Sequence, residues 1–197
     1  MLEVELKSVV DDVARRRAAI ERAGATLVYE GRLEDRRWDT PDRALAARDH
    51  VLRVRTYRGE GDERAELDWK GPTRREEGYK LREEIDVATN DPGALGEILA
   101  RIGYEVSMAI DREIAQYELD GAMVRFERYP RMDDLVEVEG APASIERAIA
   151  ALGLPRDGFT TDRLPEFVQR YEARTGQRAA VCDAELTGDA SYDVSNA

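Results

Sequence analysis

The chain has 197 residues and a formal net charge of −12, with 30 Lys and Arg against 42 Asp and Glu. That length suits one domain with a substantial core, and the acidic balance argues against a general binder of nucleic acid polymers or anionic membranes. A single histidine, His50, and a single cysteine, Cys182, exclude histidine metal triads and disulfide or cysteine metal clusters. Chemistry is left to Lys, Arg, Asp, Glu and Tyr. No stretch is long and apolar enough to span a bilayer and no apolar leader opens the chain, so a soluble, cytoplasmic protein is expected.

MLEVELKSVV opens as a strand with Glu3, Glu5 and Lys7 on one face and Val4 and Leu6 on the other, because side chains alternate along extended backbone. DDVARRRAAIERAG predicts a helix capped by Asp11 or Asp12 and stopped at Gly24. Val13, Ile20 and Ala23 would face inward, with the Arg15, Arg16 and Arg17 run on a solvated face. Residues 25–38, ATLVYEGRLEDRRW, read as extended, and DTPDRALAARD as a turn or short loop. VLRVRTYR and RAELDWKG pair as a hairpin through GEGDE, and GYKLREEIDVAT is a further strand. NDPGALGEILARIG is the clearest helix, with Asp91 as cap, Pro92 in the first turn, and Leu95, Ile98, Leu99 and Ile102 at helical spacing.

Asp120-Gly121 divides YEVSMAIDREIAQYELDGAMVRFERY into two long strands, and DDLVEVEG supplies one more. SIERAIAALG and RLPEFVQRYEARTG return to helical spacing. Residues 1–176 read as a single domain and 177–197 as a loose polar tail. About eight strands and four amphipathic helices, mostly joined by hairpin-length connections, favour an antiparallel sheet in an α+β domain.

The charged parity of the first strand recurs. Arg53 and Arg55; Glu66, Asp68 and Lys70; Arg82, Glu84 and Asp86; Arg125 and Glu127; and Glu137 and Glu139 all alternate with apolar residues such as Val54, Leu67, Trp69, Ile85, Val124, Phe126, Val136 and Val138. Two architectures satisfy this. An open sheet would bury its apolar face under helices and turn its charges to water. A closed barrel would carry helices on its apolar outside and charges in a wet interior. In such an interior carboxylates suit a hard cation, Mg²⁺ or Mn²⁺, while arginine forks and lysine point charges suit phosphate.

EVELK, WDTPDRALAARDHVLRVR, LDWKGP, KLREEIDV and LVEVEG, in that order, resemble the motifs of the CYTH family, the triphosphate tunnel metalloenzymes, over residues 1–153. The resemblance implies a closed eight-stranded antiparallel β tunnel with a charged interior, flanked by amphipathic helices and acting on triphosphates with Mg²⁺ or Mn²⁺. It implies Glu3, Glu5, Glu137 and Glu139 as metal ligands. Lys7, Arg53, Arg55, Lys70 and Arg82 become phosphate contacts, with Lys7, Arg53 and Lys70 at the catalytic centre and Glu84 a further acidic lining residue. A homodimer is compatible with the family.

The chain also departs from the pattern. Family members often carry a Lys-x-Arg pair where DREIAQY has Arg112 and then Ile114, so one phosphate contact is lost, and Arg125, of tunnel parity, is placed to replace it in part. Glu127 stands where a tunnel aspartate is common, as a candidate ligand one methylene longer. Met132-Asp133 replaces the usual Leu-Gly of the loop before the last strand.

Three activities follow as expectations. One is a class IV adenylyl cyclase converting ATP to cyclic AMP and pyrophosphate. Another is a triphosphatase acting on tripolyphosphate, thiamine triphosphate or a nucleotide. The third is a non-catalytic polyphosphate or nucleotide binder, in keeping with the loss at Ile114. Some family hydrolases activate water with a Lys-Tyr pair, and EDRRWDTP has Arg37 and Trp38 where that tyrosine would stand. This favours the cyclase, with Trp38 expected to pack under a helix.

Overall fold

The computed structural model describes residues 2–59 and 62–192, apart from the side chains of Leu2, Glu3 and Asp62. The link between the two strands of the GEGDE hairpin, residues 60 and 61, lies outside them. The described strands are β1 Leu2–Val9, β2 Thr26–Asp39, β3 Val51–Gly59, β4 Asp62–Lys70, β5 Arg74–Glu76, β6 Tyr79–Thr89, β7 Glu105–Leu119, β8 Ala122–Arg128 and β9 Leu135–Gly140. The helices are α1 Val13–Arg22, α2 Pro92–Arg101, α3 Pro142–Leu152, α4 Leu164–Thr175 and the short α5 Asp183–Thr187.

All strands join one antiparallel sheet in the order β1-β9-β8-β7-β2-β3-β4-β6, with β5 on the start of β6. The first and last of these eight also pair, from Leu2 opposite Glu83 to Glu5 opposite Lys80, so the sheet closes on itself. Of the two architectures open to the alternating pattern, the barrel is the one formed. Closure leaves fewer unpaired edges for other chains to join.

Closure also assigns the two faces. Leu6, Val124, Phe126, Val136 and Val138 point outward into a core completed by Ile20 of α1 and by Ile145, Ala148, Ile149 and Leu152 of α3. Asp12 caps α1, accepting the Arg15 backbone N–H at 3.0 Å. The arginine run is not uniformly solvated as expected. Arg15 is exposed, but Arg16 is buried and donates to Asp11 at 2.7 Å and to the carbonyls of Leu152 and Gly153 at 3.1 and 2.8 Å. Those two carbonyls close the last turn of α3, so the guanidinium satisfies acceptors the helix leaves orphaned.

A second core lies under α4, where Leu164, Phe167 and Val168 meet Met108, Ile110, Tyr129 and Leu135. Part of the tail expected over residues 177–197 is packed against this core, and residues 193–197 lie outside the described ones. Ala179, Ala180, Val181 and Cys182 are buried, Val181 accepts from the Asp111 backbone N–H at 2.8 Å, and Arg131 and Ala180 exchange backbone bonds of 3.0 and 2.8 Å. Four small or apolar residues are enough to add a backbone-paired patch to β7, though too few to show any periodicity.

The wall formed by β4 and β6 is less covered. Ile85 and Val87 on β6 are 61% and 58% exposed, and Ile98 and Ile102 on α2 are 56% and 64% exposed. Of the apolar residues at helical spacing in α2, Leu99 is the buried one. Trp38 does pack under this helix as expected: a methyl group added at Gly96 would come 3.2 Å from its ring.

Candidate active site

Each of the eight barrel strands contributes to the lining, through alternate residues where it gives more than one, and β5 does not. Paired positions along β2, β3 and β7 carry Asp35, Arg55 and Ile110 at one level and Arg37, Arg53 and Met108 at the next. A cavity of about 90 Å³ lies inside, bordered by Glu5, Lys7, Asp35, Arg37, Arg53, Arg55, Lys70, Lys80, Arg82, Arg112, Arg125 and Glu137. Asp162, Arg163 and Leu164, from the segment entering α4, border the same space. That segment is held beside β1 by two backbone bonds between Lys7 and Thr160, 3.0 and 2.9 Å.

The sequence-expected cations gather here, already neutralised by carboxylates. Asp35 accepts from Arg55 at 2.8 and 2.9 Å, from Arg112 at 3.0 Å and from Arg53 at 3.3 Å. Arg53 also donates to Asp68 at 2.9 Å, and Arg112 to Glu127 at 2.9 Å. Lys7 lies 2.7 Å from Glu137 and 3.6 Å from Glu127. Arg125 pairs with Glu137, and the Tyr129 hydroxyl donates to Glu127 at 2.8 Å. Toward β6, Lys80 pairs with Glu5 and Lys70 with Glu84. Arg82 donates to the carbonyls of Gly71 and Asp49, both at 2.7 Å.

Burial alone would raise the Asp35 carboxyl, but Arg53, Arg55 and Arg112 hold it well below the usual range. Glu137 behaves alike under Arg125 and Lys7, and Glu127 is lowered against burial by Lys7 and Arg112. Lys7 is raised because Glu127 and Glu137 outweigh its own burial. Burial and the Glu127 charge raise the Tyr129 hydroxyl. All these groups are therefore charged at neutral pH, except the tyrosine, which keeps its proton.

Of the expected metal ligands, Glu5 and Glu137 border the cavity. The side chain of Glu3 lies outside the described residues, and its backbone sits opposite Arg82. Glu139 is half-buried at the position opposite Glu5. Glu127 stands apart, 1% exposed and enclosed by Arg112, Lys7 and Tyr129. Among the described residues no three Asp, Glu, His or Cys side chains converge as a metal cluster. The donors present are oxygens on separate strands, which suit a hard cation that completes its shell with water and ligand oxygens. On that chemistry the lining fits a hard divalent cation bound together with phosphate, and no all-protein cage.

Ile114, where a second cation is absent, packs inside the barrel with Tyr29, Leu33 and Tyr57. Tyr29 and Tyr57 meet edge to face at 5.3 Å, and Arg64 lies 4.4 Å over Tyr57. One stretch of the interior is thus apolar. Sequence reasoning misses Asp35, Lys80 and Tyr129. A signal for Lys80 exists, because it shares parity with Arg82 and Glu84. Asp35 sits in EDRRWD, where nearly every residue is charged and a period of two is hard to see.

A barrel closed by β1 on β6, with this charged lumen, defines the class of protein. The CYTH domain model matches residues 1–146, and the chain belongs to the CYTH family. CYTH proteins typically process triphosphates and in general depend on a divalent metal. No curated protein matches the chain. Among solved structures, a candidate adenylate cyclase from Vibrio parahaemolyticus superposes with a TM-score of 0.73 at 17% identity, covering 86% of this chain and 98% of its own. A protein from Pyrococcus horikoshii OT3 gives 0.71 at 23% identity, covering 85% and 98%. A candidate adenylyl cyclase from Hippeastrum, reported to have a dominant triphosphatase activity, gives 0.60 at 14%, covering 91% and 98%. At these identities the likeness is one of fold.

Proposed function

We propose that this protein is a divalent-metal-dependent enzyme acting on a triphosphate chain inside the barrel, and that the reaction is adenylyl cyclisation of ATP to cyclic AMP and pyrophosphate. The observation that carries the reading is the cavity lining, where Lys7, Arg53, Arg55, Lys70, Arg82, Arg112 and Arg125 converge from separate strands around space bordered by Glu5 and Glu137. Phosphate oxygens entering there would exchange with carboxylates as partners of the same guanidinium and ammonium groups. Glu5 and Glu137, with Glu3 and Glu139 beside them on β1 and β9, would hold the metal. When bound, a divalent ion neutralises charge on the phosphate oxygens.

Cyclisation is favoured over hydrolysis because, among the described residues, no obvious group is placed to activate water. Arg37 occupies the position where a tyrosine would assist, and the Tyr129 hydroxyl is raised and already donates to Glu127. Intramolecular attack by a ribose 3′ oxygen on the α-phosphorus depends chiefly on positioning and charge neutralisation. A triphosphatase is the second reading. It is favoured by the mainly charged border of the cavity, better matched to a bare phosphate chain than to a nucleoside. The Hippeastrum relative supports the same alternative.

Product analysis by mass spectrometry, with ATP, tripolyphosphate or thiamine triphosphate and either Mg²⁺ or Mn²⁺, separates these. Cyclic AMP with pyrophosphate is expected from ATP. Orthophosphate release from any of the three establishes the triphosphatase instead, and tight binding without turnover establishes a binder.

A further inference from the structure

Arg37 is the lining cation that the ion-pair network leaves out. It follows Asp35 by two residues on β2, borders the same cavity, and pairs across the ladder with Arg53 and Met108. Its Nε and Nη1 atoms are buried and have no hydrogen-bond partner. The neighbouring arginines differ: Arg53 and Arg55 share Asp35, Arg112 bridges Asp35 and Glu127, and Arg125 pairs with Glu137. Burial, with Arg53, Arg82 and Arg112 close by and Asp35 opposing them, pushes Arg37 down to about 10, which leaves it charged at neutral pH. Arg37 as a whole is half-buried, but buried donors left idle are unfavourable in the folded chain, and such groups are typically satisfied by a partner.

We propose that Arg37 is a phosphate-binding residue of the tunnel, its unpartnered Nε and Nη1 donors receiving oxygens of the triphosphate chain. The inference rests on the triphosphate reading above and adds a residue to it. Asp35 is held by three other arginines, so Arg37 can meet an incoming anion without first giving up a carboxylate. A guanidinium donates but does not accept a proton, so position 37 contributes binding and charge neutralisation and no general base.

The test is calorimetric titration of tripolyphosphate, with and without Mg²⁺ or Mn²⁺, into the wild-type protein, Arg37→Met and Arg37→Lys, alongside melting temperatures without ligand. Arg37→Met is expected to weaken tripolyphosphate binding about tenfold to a hundredfold, the scale of lost charge-assisted hydrogen bonds. Arg37→Lys is expected to recover part of it. Without ligand, Arg37→Met is expected to melt at the wild-type temperature or above it, because a cation with two buried, unpartnered donors has been removed. A residue serving structure alone would lower the melting temperature and leave affinity unchanged. Equal affinity of wild type and Arg37→Met, or a lower melting temperature of the ligand-free variant, overturns the assignment of Arg37 and leaves the triphosphate reading standing. No binding of tripolyphosphate to the wild-type protein under any of these conditions overturns that reading, and this one with it.

Discussion

Along β2, β7, β8 and β9 the tunnel charges are deeply buried and shared, whereas the Lys70–Glu84 pair between β4 and β6 sits closer to water, beside Asp68 and Arg82 of the same strands, which are buried. Asp35 and Glu127 are each 1% exposed and serve three cations apiece, while Lys70 and Glu84 are 13% and 24% exposed. A shared, dry ion cluster is costly to open, because removing one member strands the rest without compensation. A wetter pair can part and re-form with less penalty. The first region therefore reads as the part of the lining that also serves as scaffold, its cations still open to phosphate, and the second as the side where charges change partners at least cost.

The strongest way to break this contrast is at Asp35. Asp35→Ala takes a carboxylate from Arg53, Arg55 and Arg112 at once, and Arg53 and Arg112 keep Asp68 and Glu127. The expected loss is about 3–5 kcal/mol of folding stability, read as a lower denaturant midpoint. A loss below about 1 kcal/mol, the scale of an exposed pair, would show that the cluster is not the scaffold described.

Acid sharpens the same contrast. Asp35, Glu127 and Glu137 all have carboxyls lowered by folding. Each contributes stability that is present above the unfolded carboxyl value of about 4 and is lost as pH falls through the lower folded value. Glu137→Gln cannot titrate there. Its stability deficit against wild type should narrow by about 1–2 kcal/mol as pH drops from 5 toward 3. A deficit that stays constant in urea denaturation over that range would refute the linkage.

At the metal-binding side, Glu3→Ala combined with Glu5→Ala should abolish metal-dependent turnover while the protein stays folded, at a smaller cost than Asp35→Ala, since Glu5 is paired with Lys80 whereas Asp35 serves three arginines. Retained full activity in the double variant would remove β1 from the site.

How much of this contrast the amino-acid sequence carries differs from strand to strand. Alternation in EVELK, VLRVR and LVEVEG is unbroken, so a shared charged face for Glu5, Lys7, Arg53, Arg55 and Glu137 follows from the pattern alone. The hairpin at Asp120-Gly121 is equally legible, since both residues take positive φ, 48° and 76°. EDRRWD is different: acid and base occupy both parities, and only the closed barrel shows that Asp35 and Arg37 turn inward. Arg16 looks no different from Arg15 until α3 docks beside α1. Ile85 and Val87 alternate with charges just as Val136 and Val138 do. Whether such residues are buried depends on where α1 and α3 land, a long-range outcome that no local pattern encodes.

The smallest effect is expected at the exposed limit of the same chemistry. Arg101 and Glu97 on α2 form an i,i+4 pair with side chains 76% and 64% exposed, against 1% for Asp35. Water and salt screen such a pair, and holding two long side chains together opposes most of what is gained. Arg101→Ala should therefore cost about 0.5 kcal/mol or less, and the difference should shrink further in molar salt. A loss above about 1 kcal/mol, persisting in salt, would mean that burial is not what separates the strong ion pairs of this protein from the weak ones.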